Sequence, residues 1–239
     1  MRHFLLSLLL TVVIASVAVA QPRRKPATRV IYGVTQTSSM QESYEDYFSV
    51  RIGANFADLI DPHYTSNSQT GFNAALLYNI SLADQMPIYL QTGLSVEMKG
   101  ARSSTVLENV RRSHLKSYWL EVPVVVTFDM PISTHTALVP EFGVYYAYAF
   151  QGSLEGDGEF YRPYDKQEIE IEDEGTINSR LFRRSDFGLR MGISMRYDNL
   201  LFGFAYDAGL LNTFSKDIRD LGTQLTTGCW SLNMQMRFR

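Results

Sequence analysis

Eight segments in which apolar and polar residues alternate, at 47–56, 70–80, 87–99, 115–129, 136–152, 185–197, 200–212 and 226–238, are separated by gaps that are in turn long and short. Alternation with a period of two gives a strand one apolar face and one polar face. In the first segment Phe48, Val50, Ile52 and Ala54 point one way, and Ser49, Arg51, Gly53 and Asn55 the other. An even number of antiparallel strands of about ten residues, with short turns at one rim and long loops at the other, is what a bacterial transmembrane barrel requires. The pattern predicts an all-β fold, an eight-stranded antiparallel up-and-down transmembrane β-barrel.

The start of the chain agrees with export. Arg2 and His3 precede an apolar run from Phe4 to Val19 that closes on Ala18, Val19 and Ala20, the small-residue form of a signal-peptidase site. The run is short for an uncleaved membrane helix. The expected organisation is a cleaved signal peptide over 1–20, a flexible periplasmic leader over 21–46 and the barrel over 47–239. The leader's cluster Arg23, Arg24 and Lys25 offers a docking alternative, on a periplasmic partner or the inner leaflet. Removing Arg2 leaves 21 basic and 25 acidic side chains, a net charge near −4 that gives no sign of a nucleic-acid partner. Cys229 is the single cysteine, so no intramolecular disulfide forms, and it reads as a small filler.

Size decides which face is outside. The apolar sets include Phe72, Leu76, Leu94, Leu120, Phe142, Phe150, Phe202 and Trp230, and so many bulky residues would overfill an eight-stranded interior. The opposite face carries Gly53, Gly93, Gly143, Gly188, Gly192, Gly203 and Gly209 among a few long charged residues. This predicts outer-membrane lipid around the apolar face and a narrow, plugged lumen lined by Arg51, Glu97, Glu121, Glu141, Arg190, Arg196, Asp207 and Arg237. Unpaired desolvated charges are expensive, so these residues should pair. Strand direction suggests Glu141 with Arg196 and Asp207 with Arg190. Pro123 and Pro140 predict bulges, since a closed barrel has no edge strand on which a missing N–H is harmless. Tyr89 and Trp119 fall on the lumen parity, and most other aromatics gather near the two rims as girdles.

Of the outward loops, the third, over 153–184, is the most acidic, with Glu155, Asp157, Glu159, Asp165, Glu168, Glu170, Glu172, Asp173 and Glu174. Glu155, Asp157, Glu159, Glu170 and Glu172 are its candidate binding residues, and the alternation over 166–173 suggests strands extending above the membrane. The run from Glu155 to Glu159 lacks the twelve-residue spacing of a dedicated calcium loop, so a solvated acidic surface is the expected reading and no metal site or cofactor is called. After the signal leaves, His63, His114 and His135 lie in different loops or turns and do not converge on a zinc ion. The one set suggestive of hydrolysis is His114 with Ser113 or Ser117 and Glu108.

With these residues laid out, the chain resembles the PorT-like outer-membrane β-barrels of the Bacteroidota. The resemblance rests on the stretch 117–128, an aromatic, an acid and a proline ahead of a β-branched run, together with Phe142-Gly-Val-Tyr-Tyr-Ala-Tyr148, 186–193, 204–212 and 231–238. It implies an eight-stranded barrel delivered by the export and barrel-assembly machineries, without a catalytic site. Some members are linked to type IX protein secretion. Phe238 followed by Arg239 departs from the terminal aromatic of many bacterial barrels.

The leading expectation is therefore a non-enzymatic integral barrel with a structural or surface-interaction role and surface-protein partners. The alternatives are an accessory component of a type IX-like secretion system, a lipid-modifying enzyme built on the His114 set, a small channel and a soluble periplasmic barrel.

Overall fold

The computed structural model describes residues 44–60, 67–83, 86–103, 113–156, 159–171, 175–214 and 225–238. The expected signal peptide and residues 21–43 of the expected leader lie outside them, as do His63, Glu108, Asp157 and Glu172. In chain order the elements are β1 (Tyr47–Ile60), β2 (Asn67–Ser81), β3 (Ile88–Ser103), β4 (Ser113–Phe128), β5 (Met130–Pro131), β6 (Thr136–Gly156), β7 (Glu159–Tyr161), β8 (Gln167–Ile171), β9 (Gly175–Ser179), β10 (Ser185–Tyr197), β11 (Leu200–Gly209) and β12 (Thr226–Phe238).

Eight of these form the wall, in the order β1, β2, β3, β4, β6, β10, β11, β12, each antiparallel to its neighbours. The ring closes where β12 pairs with β1, Phe48 lying opposite Phe238 and Ile60 opposite Thr226. No sheet edge remains unpaired in the wall, the condition for crossing lipid with strands.

The alternation sorts side chains as a narrow barrel in lipid demands. Outward residues such as Leu76 and Leu232 are 59% and 57% exposed in the isolated chain, whereas the inward Glu121 and Arg190 are 0% and 1% exposed. A water-soluble barrel would invert this distribution. Tyr89 and Trp119 are buried on the inner face, consistent with their parity.

Neither Pro123 nor Pro140 produces a bulge. The β3–β4 ladder keeps one register from Thr92↔Val124 to Ser95↔Glu121 and only omits the pairs between them. Around Pro140 the register of Thr127↔Glu141 resumes at Met130↔Leu138, with Asp129 separating β4 from β5. Each missing N–H thus falls in an interruption of the ladder without a shift of its register. The bulges lie nearer the outer rim, in β2 between Ser68 and Asn73 and in β6 opposite Tyr118 and Trp119. The second reverses the parity of β6, so that Gln151 and Ser153 are exposed and Leu154 is buried.

The short turns are tied together. Asp198 has φ 51°, the left-handed conformation that a two-residue hairpin needs and that Asp tolerates. Its N–H donates to the His135 carbonyl at 2.9 Å, and its carboxylate meets His135 Nδ1 at 2.8 Å. Tyr44 and Asp46, just ahead of β1, touch the barrel. Asp46 accepts from Ser81 N–H at 2.7 Å and from the Tyr78 hydroxyl at 3.0 Å, and the Tyr44 ring stands edge-on to Tyr89 at 6.5 Å. At the outer rim β7 pairs with the end of β6, while β8 and β9 form a separate hairpin instead of prolonging the wall.

Candidate functional site

The lumen holds two charge clusters and the outer mouth a third, aromatic one. In the first cluster Arg190, from β10, reaches Asp207 on β11 at 3.0 Å, Glu141 on β6 at 3.2 Å and Glu121 on β4 at 3.4 Å. Lys99, from β3, sits 2.8 Å from Glu121 and 3.1 Å from Glu97, two residues earlier on the same face, with its ammonium 4.8 Å from the centre of the Tyr145 ring. Side chains from five strands, β3, β4, β6, β10 and β11, thereby share one hydrogen-bonded network across the barrel. Glu97 also accepts from Ser95 at 3.2 Å and from Asn55 at 3.5 Å, and Asn73 continues the chain to Asn55 at 2.6 Å and Asn233 at 3.0 Å.

The second cluster lies at the short-turn end, which in bacterial barrels faces the periplasm. Asp129 faces Arg237 at 2.6 Å and Arg196 at 3.3 Å, and Arg237 stacks its guanidinium 4.7 Å above the Tyr47 ring. Amides fill the space beside it: Gln91 donates to Asn79 at 2.8 Å, and Asn79 and Gln235 donate to the Ser49 hydroxyl at 3.0 and 2.9 Å.

These distances revise the expected pairing. Arg190 lies with Asp207, but Glu141 is held by Arg190, and Arg196 is not its partner. The register puts Gly192 opposite Glu141 and Arg196 opposite Ala137, so Arg196 sits four residues nearer the periplasm, where Asp129 turns inward. Lys99 and Asp129, which the sequence reading passed over, complete both clusters. Their signal was parity: Lys99 shares the face of Glu97, and Asp129 that of Glu121 and Thr127. Arg51 is 3% exposed and makes no ion pair among the described residues, and its Nε and Nη2 atoms have no hydrogen-bond partner there.

The third cluster packs at the outer mouth. The segment between β7 and β8 inserts Pro163 and Tyr164, and the segment before β10 inserts Leu181 and Phe182, all buried. Tyr164 packs edge-on against Trp119 at 5.8 Å, Phe182 lies 6.2 Å from Tyr164, and Phe214 lies 5.5 Å from Phe182. Polar ties hold this cap: Phe182 N–H donates to the Pro163 carbonyl at 2.9 Å, Arg184 binds Asp165 at 2.8 Å, and Asp186 accepts from Thr227 at 2.6 Å and Tyr145 at 3.1 Å. Burial pushes the Tyr164 phenol well above its ordinary pKa, so this ring stays neutral.

Of the hydrolase set, Glu108 and the Ser113 side chain lie outside the described residues, and the remaining pair is not brought together: His114 and Ser117 point to opposite faces of β4. His114 contacts Gln69 and accepts from Arg102 at 3.2 Å, whereas Ser117 is buried, donates to the Lys99 carbonyl at 2.8 Å and accepts from Trp119 at 2.8 Å. Burial, then the cations Arg102 and Lys116, lowers the His114 pKa and favours a neutral imidazole. Of the acidic loop candidates, Glu155 is exposed at the end of β6, while the side chains of Glu159 and Glu170 lie outside the described residues.

A family model agrees with the wall. The family described as "outer membrane protein beta-barrel domain" matches residues 35–215. No protein of curated description matches. Among solved structures, a major outer membrane protein from Thermus thermophilus is 17% identical with a TM-score of 0.47, covering 82% of this chain and 100% of that one. Ail, the attachment invasion locus protein of Yersinia pestis, is 15% identical with a TM-score of 0.41, covering 82% and 100%. Neisserial surface protein A is 13% identical with a TM-score of 0.42, covering 80% and 97%.

Proposed function

Because the chain belongs to the outer membrane protein β-barrel family and resides in the bacterial outer membrane, we propose that it is a closed, non-catalytic barrel that acts through its outward surface, in a structural or surface-interaction role. The observation that carries this reading is the Arg190 cluster, which spans the lumen with side chains no more than 9% exposed. A barrel of this strand number is just wide enough to be filled by its own side chains, and charges that satisfy one another plug it. The aromatic cap lies over the same lumen and exposes polar residues such as Glu155 and Arg162 to the outside. Kinship with PorT-like barrels, carried by the stretch that forms most of β4, belongs to this proposal.

Planar-bilayer recordings on the refolded protein test the closed lumen. The expected result is a bilayer without discrete conductance steps, and reproducible steps would replace this reading with a channel. The secreted proteome of a deletion strain should match its parent. Selective loss of exported cargo would move the function to secretion.

A further inference from the structure

Among the described residues, the cations on the outward face of the wall gather on one arc of the outer rim. Below that rim, the outward positions of β1, β2, β3, β4, β6, β10, β11 and β12 hold apolar and aromatic residues, ending in an outer girdle that includes Tyr118 with Phe150, Tyr148, and Tyr206 with Trp230. Lys116 and His114 lie two and four residues above Tyr118 on the same side of β4, and Arg102 is paired with His114 across β3. With a rise of about 3.3 Å per residue and a tilt near 40°, this places Lys116 roughly 5 Å and Arg102 roughly 10 Å beyond the girdle. Aromatic girdles mark the headgroup level, so the two cations stand at the depth of lipid phosphates.

The arc continues beside β6, where Arg184 hydrogen-bonds to Tyr148. The nearby acids are Glu155, beside His114 on β6, and Asp165, which is taken up by Arg184. Lys116 makes no hydrogen bond or ion pair among the described residues, and its cross-strand neighbours are the small Gly100 and Ser153. On the opposite arc, β11, β12 and β1 present Asp58 outward and no cation among the described residues.

We propose that Arg102 and Lys116 form a binding site for the phosphate groups of an outer-leaflet lipid headgroup, fixing one side of the barrel against phosphorylated lipid. Charge complementarity at headgroup depth names the occupant: the acyl chains meet the apolar wall below the girdle, and the phosphates meet the cations above it.

The test is native mass spectrometry of the full-length protein in detergent, titrated with bis-phosphorylated lipid A, with the same lipid after enzymatic dephosphorylation, and with inorganic phosphate. The expected result is stoichiometric retention of the phosphorylated lipid, about tenfold weaker retention in Arg102→Gln/Lys116→Gln, and no change in Lys166→Gln, an exposed cap residue. Equal retention of the two lipid forms by the unaltered protein would overturn the proposal without recourse to any variant. Displacement by millimolar inorganic phosphate would also overturn it, in favour of a free-anion site. Folding of each variant is read independently from the mobility difference between unboiled and boiled samples.

Discussion

The two charge clusters of the lumen are built from the same residue types in opposite proportion. At mid-depth one guanidinium, Arg190, is divided among Glu121, Glu141 and Asp207, all nearly inaccessible. At the periplasmic rim one carboxylate, Asp129, is divided between Arg237 and Arg196, and the Arg196 side chain is 19% exposed. Counting Lys99 and Glu97, the deep cluster carries two cations and four acids, and the rim cluster two cations and one acid. Depth, more than the number of contacts, decides what each partnership contributes. Charges sealed from water cannot recover solvation when a partner is lost, whereas those at the rim can.

The comparison breaks first at Arg190. Arg190→Leu strands three nearly inaccessible carboxylates, and the expected loss is about 3–5 kcal/mol. It would be measured as a lower temperature at which the compact, unboiled band converts to the unfolded one. An unchanged midpoint would mean that the deep cluster does not hold the barrel shut. Lys99→Met leaves Glu121 with its Arg190 contact at 3.4 Å but removes the cation from Glu97, so a smaller loss of about 2–3 kcal/mol is expected. Adding Glu97→Gln should return more than half of it, because the stranded charge goes with the second substitution. A double variant as unstable as the single would assign the cost to lost packing of the lysine stem instead.

This dependence on depth also explains how far the sequence could be read. Parity was legible because lipid outside and a narrow lumen inside impose opposite demands on alternate residues, and Glu121, Arg190 and Asp207 could be assigned to the lumen from alternation alone. Partnership was not legible in the same way. It depends on the stagger between strands, which alternation does not encode, and a displacement of four residues moved Arg196 from Glu141 to Asp129. The cap was harder still. Pro163, Tyr164 and Phe182 follow no period, so nothing local separates them from a solvated loop, and only the fold brings them onto Trp119. The prolines misled because a ladder tolerates a skipped pair as readily as a bulge, and Pro123 lies in such a gap.

The cap offers a third region against which the lumen clusters can be set, since aromatic packing is at its centre. Phe182→Ala removes a fully buried ring from the packing of Tyr164 and Phe214. The cap belongs to a loop, not to the strand ladder, so the expected effect is local opening: faster cleavage between β6 and β10 under limited proteolysis, with the barrel's melting midpoint displaced by no more than about 1 kcal/mol equivalent. A drop as large as that of Arg190→Leu would show that cap and wall unfold as one unit.

The smallest effect is expected at the rim. In Arg196→Gln the Asp129 carboxylate keeps its 2.6 Å contact with Arg237, and water reaches the vacated position, so no charge is stranded. The expected loss is about 0.5–1 kcal/mol, the range of partly exposed ion pairs, and it should shrink further as salt is raised because exposed charges are screened. Melting Arg196→Gln and the unaltered protein at low and at molar salt separates the two explanations of the lumen. If depth governs, the rim variant converges on its parent in high salt while Arg190→Leu does not. If both variants respond to salt alike, ions reach the middle of the barrel, and the lumen is open to solvent through its periplasmic end.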